Sequence, residues 1–175
     1  MKPIPDHLRE NLDVIFVGFN PSIRSSQTGH HYANPTNRFW RILFDAGITP
    51  RKYDPTEDYL LLELGYGLSN IVARPTKGAD EITNEEYLEG REMLKEKIET
   101  YRPRIVCFVG KGVYQQYSGK KQIPWGKQVK PLVPGIIDFV APSSSGLVRM
   151  KLDEVVSIYR EIPALIEELN SQGTE

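Results

Sequence analysis

Continuous apolar runs along the chain, without polar alternation, predict the centre of a sheet. Val14–Val17 and Arg104–Val109 are dominated by β-branched and aromatic residues, which is typical of strands buried on both faces of a parallel sheet. Gly67–Val72 predicts a shorter strand between them. Gln128–Val133 and Ile136–Val140 predict the last two strands, which Pro134 and Gly135 separate.

Helical spacing of apolar residues fills most of the remaining chain. Helices are predicted at Asn37–Ala46, Glu57–Leu64, Thr83–Tyr101, Lys111–Tyr117 and Leu152–Leu169, the last kinked or broken by Pro163. Strands that alternate with helices predict one three-layer α/β domain over residues 1–175. Residues 1–12 would be an N-terminal arm, and residues 152–175 a closing helix and tail.

Two segments lack a clear periodicity of apolar residues. Phe19–Asn34 is expected to be a loop, and loops of this length are usually functional. Within the arm, Asp6–Asn11 suggests a short helix.

The composition, 39% hydrophobic and 26% charged residues, is typical of a soluble globular protein. No run approaches the roughly 18–20 apolar residues of a membrane span, and the N-terminus lacks the apolar core of a signal peptide. Cys107 is the only cysteine, which excludes a disulfide framework, a Cys-ligated zinc site and a four-Cys iron–sulfur cluster. We therefore expect a cytoplasmic monomer with no cofactor and no membrane partner.

The net charge of −1 conceals a strong segregation of charge. Residues 102–151 carry nine Lys/Arg and one acid, whereas residues 54–101 carry five Lys/Arg and twelve acids. This asymmetry predicts a basic face for a polyanion, although lysines that merely solvate loops are the alternative. The face would comprise Lys111, Lys120, Lys121, Lys127, Lys130, Arg149 and Lys151.

The first candidate catalytic residue is Asn20, which lies shortly after the first predicted buried strand. Ligands of open α/β sheets bind at the carboxyl ends of strands. Because Pro21 restricts the backbone, the Asn20 amide would be held rigidly toward a pocket. An ordinary Asn-Pro turn is the alternative at this point.

Several motifs in order carry a resemblance to a known family. They are Gly18-Phe-Asn-Pro-Ser22, Thr28-Gly29 with Tyr32, Asn34-Pro35, Asn37-Arg-Phe-Trp40, Gly67 to Thr76, Gly110-Lys111, Trp125-Gly-Lys127 and Pro142 to Arg149. Together they resemble the mismatch-specific uracil/thymine DNA glycosylases of the uracil-DNA glycosylase superfamily, over roughly residues 13–162. The resemblance implies a mostly parallel sheet of four or five strands between helices, a three-layer α/β/α fold.

The resemblance also implies roles for residues of the first motifs. Asn20 would orient the attacking water, and Tyr32 would stack on the extruded base. The backbones of Phe19 and Tyr32 would hydrogen-bond the pyrimidine edge, with Ser25 and Asn70 as weaker pocket candidates. Because Asn is a weaker base than the Asp of some relatives, slow chemistry is expected.

The final motif implies the DNA contacts. Leu147 would wedge into the base stack, and the main chain of Gly146 and Val148 would face the orphaned partner base, with Ser145 and Arg149 beside them. Lys111 would contact a phosphate at a helix N-terminus. This motif departs from the family in having Ser143-Ser-Ser-Gly146 and Val148, and it contains no His to stabilise the leaving base.

Two adjacent histidines in the first loop need separate treatment. We predict that His30 and His31 bind no metal, because neighbouring residues of this kind seldom share one ligand geometry. They would instead line the pocket mouth or contact DNA, with His31 a candidate substrate-binding residue; a merely solvated loop is the alternative.

The sequence thus predicts a monofunctional DNA glycosylase that removes uracil, or thymine and other altered pyrimidines, from mispaired double-stranded DNA by base flipping. Two alternatives remain open. One is a glycosylase of the same superfamily for deaminated purines such as hypoxanthine or xanthine. The other is a non-catalytic nucleic-acid-binding α/β domain.

Overall fold

One five-stranded sheet organises the fold in the computed structural model, which describes residues 2–173. Its strands are β1 (Val14–Gly18), β2 (Tyr66–Asn70), β3 (Ile105–Val109), β4 (Gly126–Lys127) and β5 (Ile137–Ala141). They lie in the order β2-β1-β3-β5-β4, and only β4 pairs antiparallel. The predicted mostly parallel α/β sheet is confirmed.

The sheet lies between two layers of helices because both of its faces are apolar. The helices are α1 (Ile23–Thr28), α2 (Phe39–Asp45), α3 (Asn84–Tyr101), α4 (Lys111–Ser118), α5 (Leu152–Tyr159) and α6 (Glu161–Gln172). Val14 and Phe16 of β1 pack with α2, α5 and α6. Ile15 and Val17 point to the other face and pack with α3 and α4. Every residue of β1 is therefore buried, as its unbroken apolar run predicts.

Three predicted elements are wrong. Phe19–Asn34 is not all loop, because Ser22 caps the short helix α1. Asp6–Asn11 is not helical; His7 instead forms an antiparallel bridge with Leu68 of β2. Gln128–Val133 forms no strand, since Pro131 cannot donate a ladder hydrogen bond.

The closing helix is interrupted at a different residue from the one predicted. The break between α5 and α6 falls at Arg160, and Pro163 lies in the first turn of α6. Proline is tolerated there because its missing N–H would have no partner within the helix.

Two 3₁₀ helices complete the described elements, at Pro55–Leu64 and Ala79–Glu81. The first corresponds to the predicted acidic helix at Glu57–Leu64. No helix within residues 2–173 has both the length and the apolar character that crossing a membrane requires.

Candidate active site

The carboxyl ends of the parallel strands lie at one edge of the sheet. The direction in which successive strands are added reverses between β1 and β3, which makes this the topological switch point. Gly18, Asn70 and Val109 end β1, β2 and β3 and line a first cavity of about 180 Å³. A second cavity of about 330 Å³ adjoins it. The two cavities share six lining residues: Asn20, Ser22, Tyr32, Asn37, Asn70 and Lys77. This is the position at which α/β sheets of this type bind ligands.

The Asn20 side chain has a fixed orientation in this site. Its Nδ2 donates to the carbonyl oxygen of Arg74 at 2.7 Å and to Oγ1 of Thr76 at 2.8 Å. Because a carbonyl oxygen can only accept, the nitrogen must be the atom on that side. No described residue hydrogen-bonds Oδ1, which leaves that oxygen to accept from a water molecule or a ligand.

The loop that holds Asn20 is itself anchored on two sides. Thr76 donates from Oγ1 to the Gly78 carbonyl oxygen at 2.7 Å, and its N–H donates to Pro21. The Arg74 guanidinium donates to both carboxylate oxygens of Glu86, at 2.8 and 2.9 Å. Glu86 belongs to the capping box of α3, so the N-terminus of that helix positions the carbonyl group that Asn20 uses.

Tyr32 forms one wall of both cavities. One face of its ring stacks on Phe39, with 3.8 Å between centroids and 11° between planes. Burial raises the pKa of its phenol well above the usual range, so the hydroxyl stays protonated. That hydroxyl is buried without a hydrogen-bond partner among the described residues.

Gly18 allows Tyr32 and Asn70 to approach the end of β1. A Cβ atom at Gly18 would lie 2.9 Å from both the Tyr32 hydroxyl oxygen and the Asn70 Oδ1. The absence of a side chain at this position therefore brings two polar groups together on the cavity wall. The Asn70 amide lines both cavities and can hydrogen-bond the edge of a planar ligand.

Phe19 also lines the first cavity. Its carbonyl oxygen accepts from the Val72 N–H at 2.9 Å, and its ring packs edge-on against Tyr87. A Cβ atom at Gly112 would lie 2.7 Å from the Phe19 ring. Only glycine at the start of α4 leaves room for this ring.

Ser25 and His31 line the second cavity, but the Ser25 hydroxyl oxygen and Nε2 of His31 already have protein partners. The Ser25 hydroxyl oxygen accepts from the Ala33 N–H at 3.1 Å and from Ser22 Oγ. His31 is buried, and its Nε2 lies 2.9 Å from the Pro5 carbonyl oxygen. Burial lowers the pKa of His31, so its imidazole is neutral. Both residues hold the loop around Tyr32, and their predicted substrate contacts stay predictions.

His31 also lies in a cluster that the sequence did not reveal. His7, His31 and Asp58 each offer a ligand atom, and these atoms lie within 4.8 Å of one another. The Asp58 carboxylate already accepts from the His31 N–H at 2.8 Å and lies 3.1 Å from His30 Nδ1. The cluster joins the N-terminal arm to the loop that precedes Tyr32.

Leu147 projects from the rim of the second cavity and is 93% exposed. Its loop is held by Ser145, which accepts from the Leu147 N–H, and by contact with the neighbouring loop. A Cβ atom at Gly146 would lie 2.6 Å from the Thr36 carbonyl oxygen, and the Arg38 N–H donates to Ser144 at 2.9 Å. A rigid loop thus presents an apolar side chain to solvent; Val148 and Arg149 continue it toward α5.

Lys111 begins α4, with its ammonium nitrogen 4.1 Å from the centroid of the Trp125 ring. Lys120 donates from Nζ to the Lys130 carbonyl oxygen at 2.7 Å. The remaining members of the predicted basic face make no ion pair among the described residues. Their predicted contact with a polyanion stays a prediction.

Sequence reasoning missed Lys77. It is exposed and is the only Lys or Arg among the described residues that line the first two cavities, neither of which has a carboxylate in its lining. Its neighbours Thr76 and Gly78 are both held by hydrogen bonds. The signal that could have identified Lys77 is its position directly after Thr76, the last residue of the Gly67 to Thr76 motif.

Two comparisons show which known proteins this chain is similar to. The family model described as the uracil DNA glycosylase superfamily matches residues 5–169. The fold is similar to the solution NMR structure of a candidate uracil DNA glycosylase from Methanosarcina acetivorans, with a TM-score of 0.59 and 23% sequence identity. That match covers 93% of this chain and 98% of the other.

Proposed function

This chain belongs to the uracil DNA glycosylase superfamily, and from that premise we propose that it is a monofunctional glycosylase for uracil in mispaired duplex DNA. The substrate range would extend to thymine or other altered pyrimidines. The observation that carries the proposal is the Asn20 amide, whose Nδ2 is held by Arg74 and Thr76. Its Oδ1 is left to orient a water beside a cavity lined by Tyr32 and Asn70.

The reaction replaces the bond between the base and C1′ of deoxyribose by a bond to water oxygen. A water that donates to Asn20 Oδ1 would be held next to C1′, and positioning of this kind can supply a large part of a rate enhancement. Because an amide is a poor base, the bond to the departing base must be largely broken before the water attacks. The water then loses a proton to solvent or to the departing base.

The flipped base would occupy the cavity beside Tyr32. Since Phe39 covers one face of that ring, the base would stack on the other face, and base–aromatic stacking contributes about 1–3 kcal/mol. The Asn70 amide and the backbones of Phe19 and Tyr32 would hydrogen-bond the pyrimidine edge. An amide both donates and accepts, which suits a range of 5-substituted pyrimidines.

Lys77 would stabilise the negative charge that develops on the departing base. The final motif supplies no His for this task, and Lys77 is the cation beside both cavities. Fixed charges aimed at developing charge are often the largest catalytic contribution. We assign Lys77 this electrostatic role rather than that of a nucleophile, so the product would be an abasic site in an uncut strand.

Leu147 would fill the space that the flipped nucleotide leaves. Its exposure and its place at the cavity rim suit an apolar wedge, which offsets the cost of unstacking a base pair. Mispaired bases are easier to extrude, which supports the preference for mismatches.

The test is base release from a panel of oligonucleotides with one lesion each, in duplex and single-stranded form. We expect uracil release from U·G duplexes, with Asn20→Ala losing most turnover while keeping its affinity for DNA. Leu147→Ala should slow release from duplexes more than from single strands. Predominant release of hypoxanthine or xanthine would establish the purine alternative, and borohydride trapping of a covalent protein–DNA adduct would refute the monofunctional mechanism.

A further inference from the structure

A third cavity, of about 470 Å³, lies beside the site, and two of its lining residues carry unsatisfied hydrogen-bond donors. Nε and Nη2 of Arg38 and Nε1 of Trp40 are buried without a partner among the described residues, and both residues line this cavity. Trp40 is only 4% exposed. Because buried donors are nearly always paired, three unpaired donors at one cavity indicate a ligand that accepts hydrogen bonds.

The charges around the third cavity indicate that this ligand is an anion. Arg38, Arg41 and Lys52 all line it, against a single carboxylate, Asp54. That carboxylate already accepts from the Thr56 hydroxyl at 2.6 Å and from the Thr56 N–H. Arg41 is partly neutralised by Asp45 at 3.2 Å, which leaves Arg38 and Lys52 without an ion-pair partner in residues 2–173.

The position of the cavity identifies the source of the anion. Tyr32, Asn34 and Asn37 line both this cavity and the second cavity, so only one loop separates them. The backbone of Arg38 also holds the Leu147 loop through Ser144. A strand that places one nucleotide against Tyr32 and is wedged by Leu147 must carry nearby phosphates past this loop.

We propose that the third cavity binds a phosphodiester group of the DNA backbone. Arg38 donates Nε–H and Nη2–H in the two-point geometry that guanidinium groups offer to phosphate oxygens. Trp40 donates Nε1–H, and Lys52 adds charge at the rim. The identity of the ligand as DNA rests on the proposed function, whereas the anion site rests on the unpaired donors and on the positive charges around the cavity.

Salt-dependent binding tests the charge contribution. The probe is a U·G duplex made non-hydrolysable by a 2′-fluorine on the uridine, titrated with wild-type protein and with Arg38→Gln and Lys52→Gln. Each variant should lower the slope of log Kd against log salt by about 1, with a similar loss of affinity on every sequence. Arg51→Gln is the matched control, because Arg51 adjoins Lys52 in sequence but binds Glu57 through two hydrogen bonds.

A phosphate scan identifies the contact itself. Single neutral methylphosphonates are placed at each position of both strands near the lesion. A methylphosphonate at one position should lower the affinity of the wild-type protein. The same methylphosphonate should lower the affinity of Arg38→Gln and Trp40→Phe much less, because these variants already lack the contact with that phosphate. Trp40→Phe keeps an aromatic ring and Lys52 is exposed, so misfolding of one variant would not remove the test.

Two outcomes would overturn the proposal. Unchanged salt slopes in both charge variants, with no coupled position in the scan, would exclude a backbone contact. Stabilisation of the wild-type protein by inorganic phosphate that is lost in Arg38→Gln, without any coupled position, would show a site for free anions instead. Binding is measured on a probe that is not hydrolysed. A protein that binds this probe as expected yet releases no base from the unmodified U·G duplex would therefore refute the proposed function and leave this inference standing.

Discussion

At the scale of single residues, the orientation of one amide decides what the site can do. Asn20 could present either its oxygen or its nitrogen to the cavity. The oxygen would accept a hydrogen bond from a ligand or water, whereas the nitrogen would donate one. The Arg74 carbonyl oxygen and Thr76 Oγ1 select the nitrogen for the protein side. The oxygen is then available for water without any rearrangement during the reaction, which is the condition for effective positioning.

Thr76→Val tests this positioning. The substitution keeps the shape of the side chain but removes the acceptor for Asn20 and the donor to Gly78. We expect the single-turnover rate of uracil release to fall by roughly 10- to 100-fold, since small displacements of a positioned group have effects of this size. Affinity for DNA should change little.

The control for this prediction is Thr100→Val, at an exposed position in the last turn of α3. It should match wild type in both rate and affinity. Equal single-turnover rates for Thr76→Val and wild type would show that Asn20 needs no such support.

Lys77→Met tests the electrostatic role of the cavity cation. Fluorine at position 5 of uracil stabilises the departing anion, so a protein cation should matter less for 5-fluorouracil than for uracil. The variant should therefore lose more rate on uracil than on 5-fluorouracil, measured on matched duplexes. An equal loss on both bases would contradict this role, and Lys95→Met on the exposed surface of α3 is the control.

At the scale of secondary structure elements, the N-terminus of α3 stabilises the site from outside the cavity. Thr83 and Glu86 form a capping box, and Glu86 also binds Arg74 through both carboxylate oxygens. Close packing extends this support, because a Cβ atom at Gly90 would lie 2.0 Å from the Ile71 carbonyl oxygen. An element on the sheet's outer layer thus fixes the backbone that holds Asn20.

Glu86→Gln should show a pH-dependent loss of stability. The Arg74 guanidinium and the Thr83 N–H lower the pKa of Glu86 from 4.5 to about 2. A carboxyl whose pKa is lower in the folded state stabilises the protein above its unfolded pKa, and this contribution disappears as pH falls toward the folded value. The difference in Tm between wild type and variant should therefore be constant near neutrality, shrink as pH falls below about 4.5, and be largely lost at pH 2.

The same variant should also lower the rate of base release at neutral pH, because Arg74 would hold its carbonyl group less firmly. A matched control is Glu89→Gln on the same helix, because the Glu89 side chain makes no hydrogen bond or ion pair among the described residues. A Tm difference that persists at pH 2 would show that the carboxylate charge is not the cause.

At the scale of the whole molecule, acidic and basic side chains are concentrated in different segments of the chain. The acidic segment contains α3, and the basic segment runs from the end of α3 through α4, β4 and β5 to the Leu147 loop. A single basic face on an almost neutral protein would orient it toward DNA without general self-repulsion.

This arrangement predicts a steep fall of duplex affinity with salt concentration. Lys111→Gln should lower the slope of log Kd against log salt by about 1 if Lys111 contacts a phosphate. Lys95→Gln, on the acidic helix, should leave the slope unchanged. A flat salt response of the wild-type protein would contradict the basic face altogether.

The amino-acid sequence alone determined the central sheet and most of its helices. Unbroken apolar runs such as Ile105–Val109 can be satisfied only by burial on both faces, and the Thr83–Glu86 capping box is a local interaction that needs no distant partner. The family motifs likewise pointed to Asn20, Tyr32 and Leu147 because each lies within a contiguous stretch. The wrong prediction at Asp6–Asn11 fell where a tertiary contact, the bridge between His7 and Leu68, decides the conformation. At Gln128–Val133 the local signal of Pro131 already argued against a strand.

Tertiary structure alone decided what these residues face. The partners of Asn20 are more than fifty positions away at Arg74 and Thr76, and Lys77 enters the cavity only because β2 lies beside β1. In the sequence, Arg38 and Trp40 are typical of the start of a helix. Only the tertiary structure shows that their side-chain N–H groups are buried without partners. Periodicity and motifs report interactions between neighbours in sequence, whereas hydrogen bonding and burial depend on which distant segments the sheet brings together.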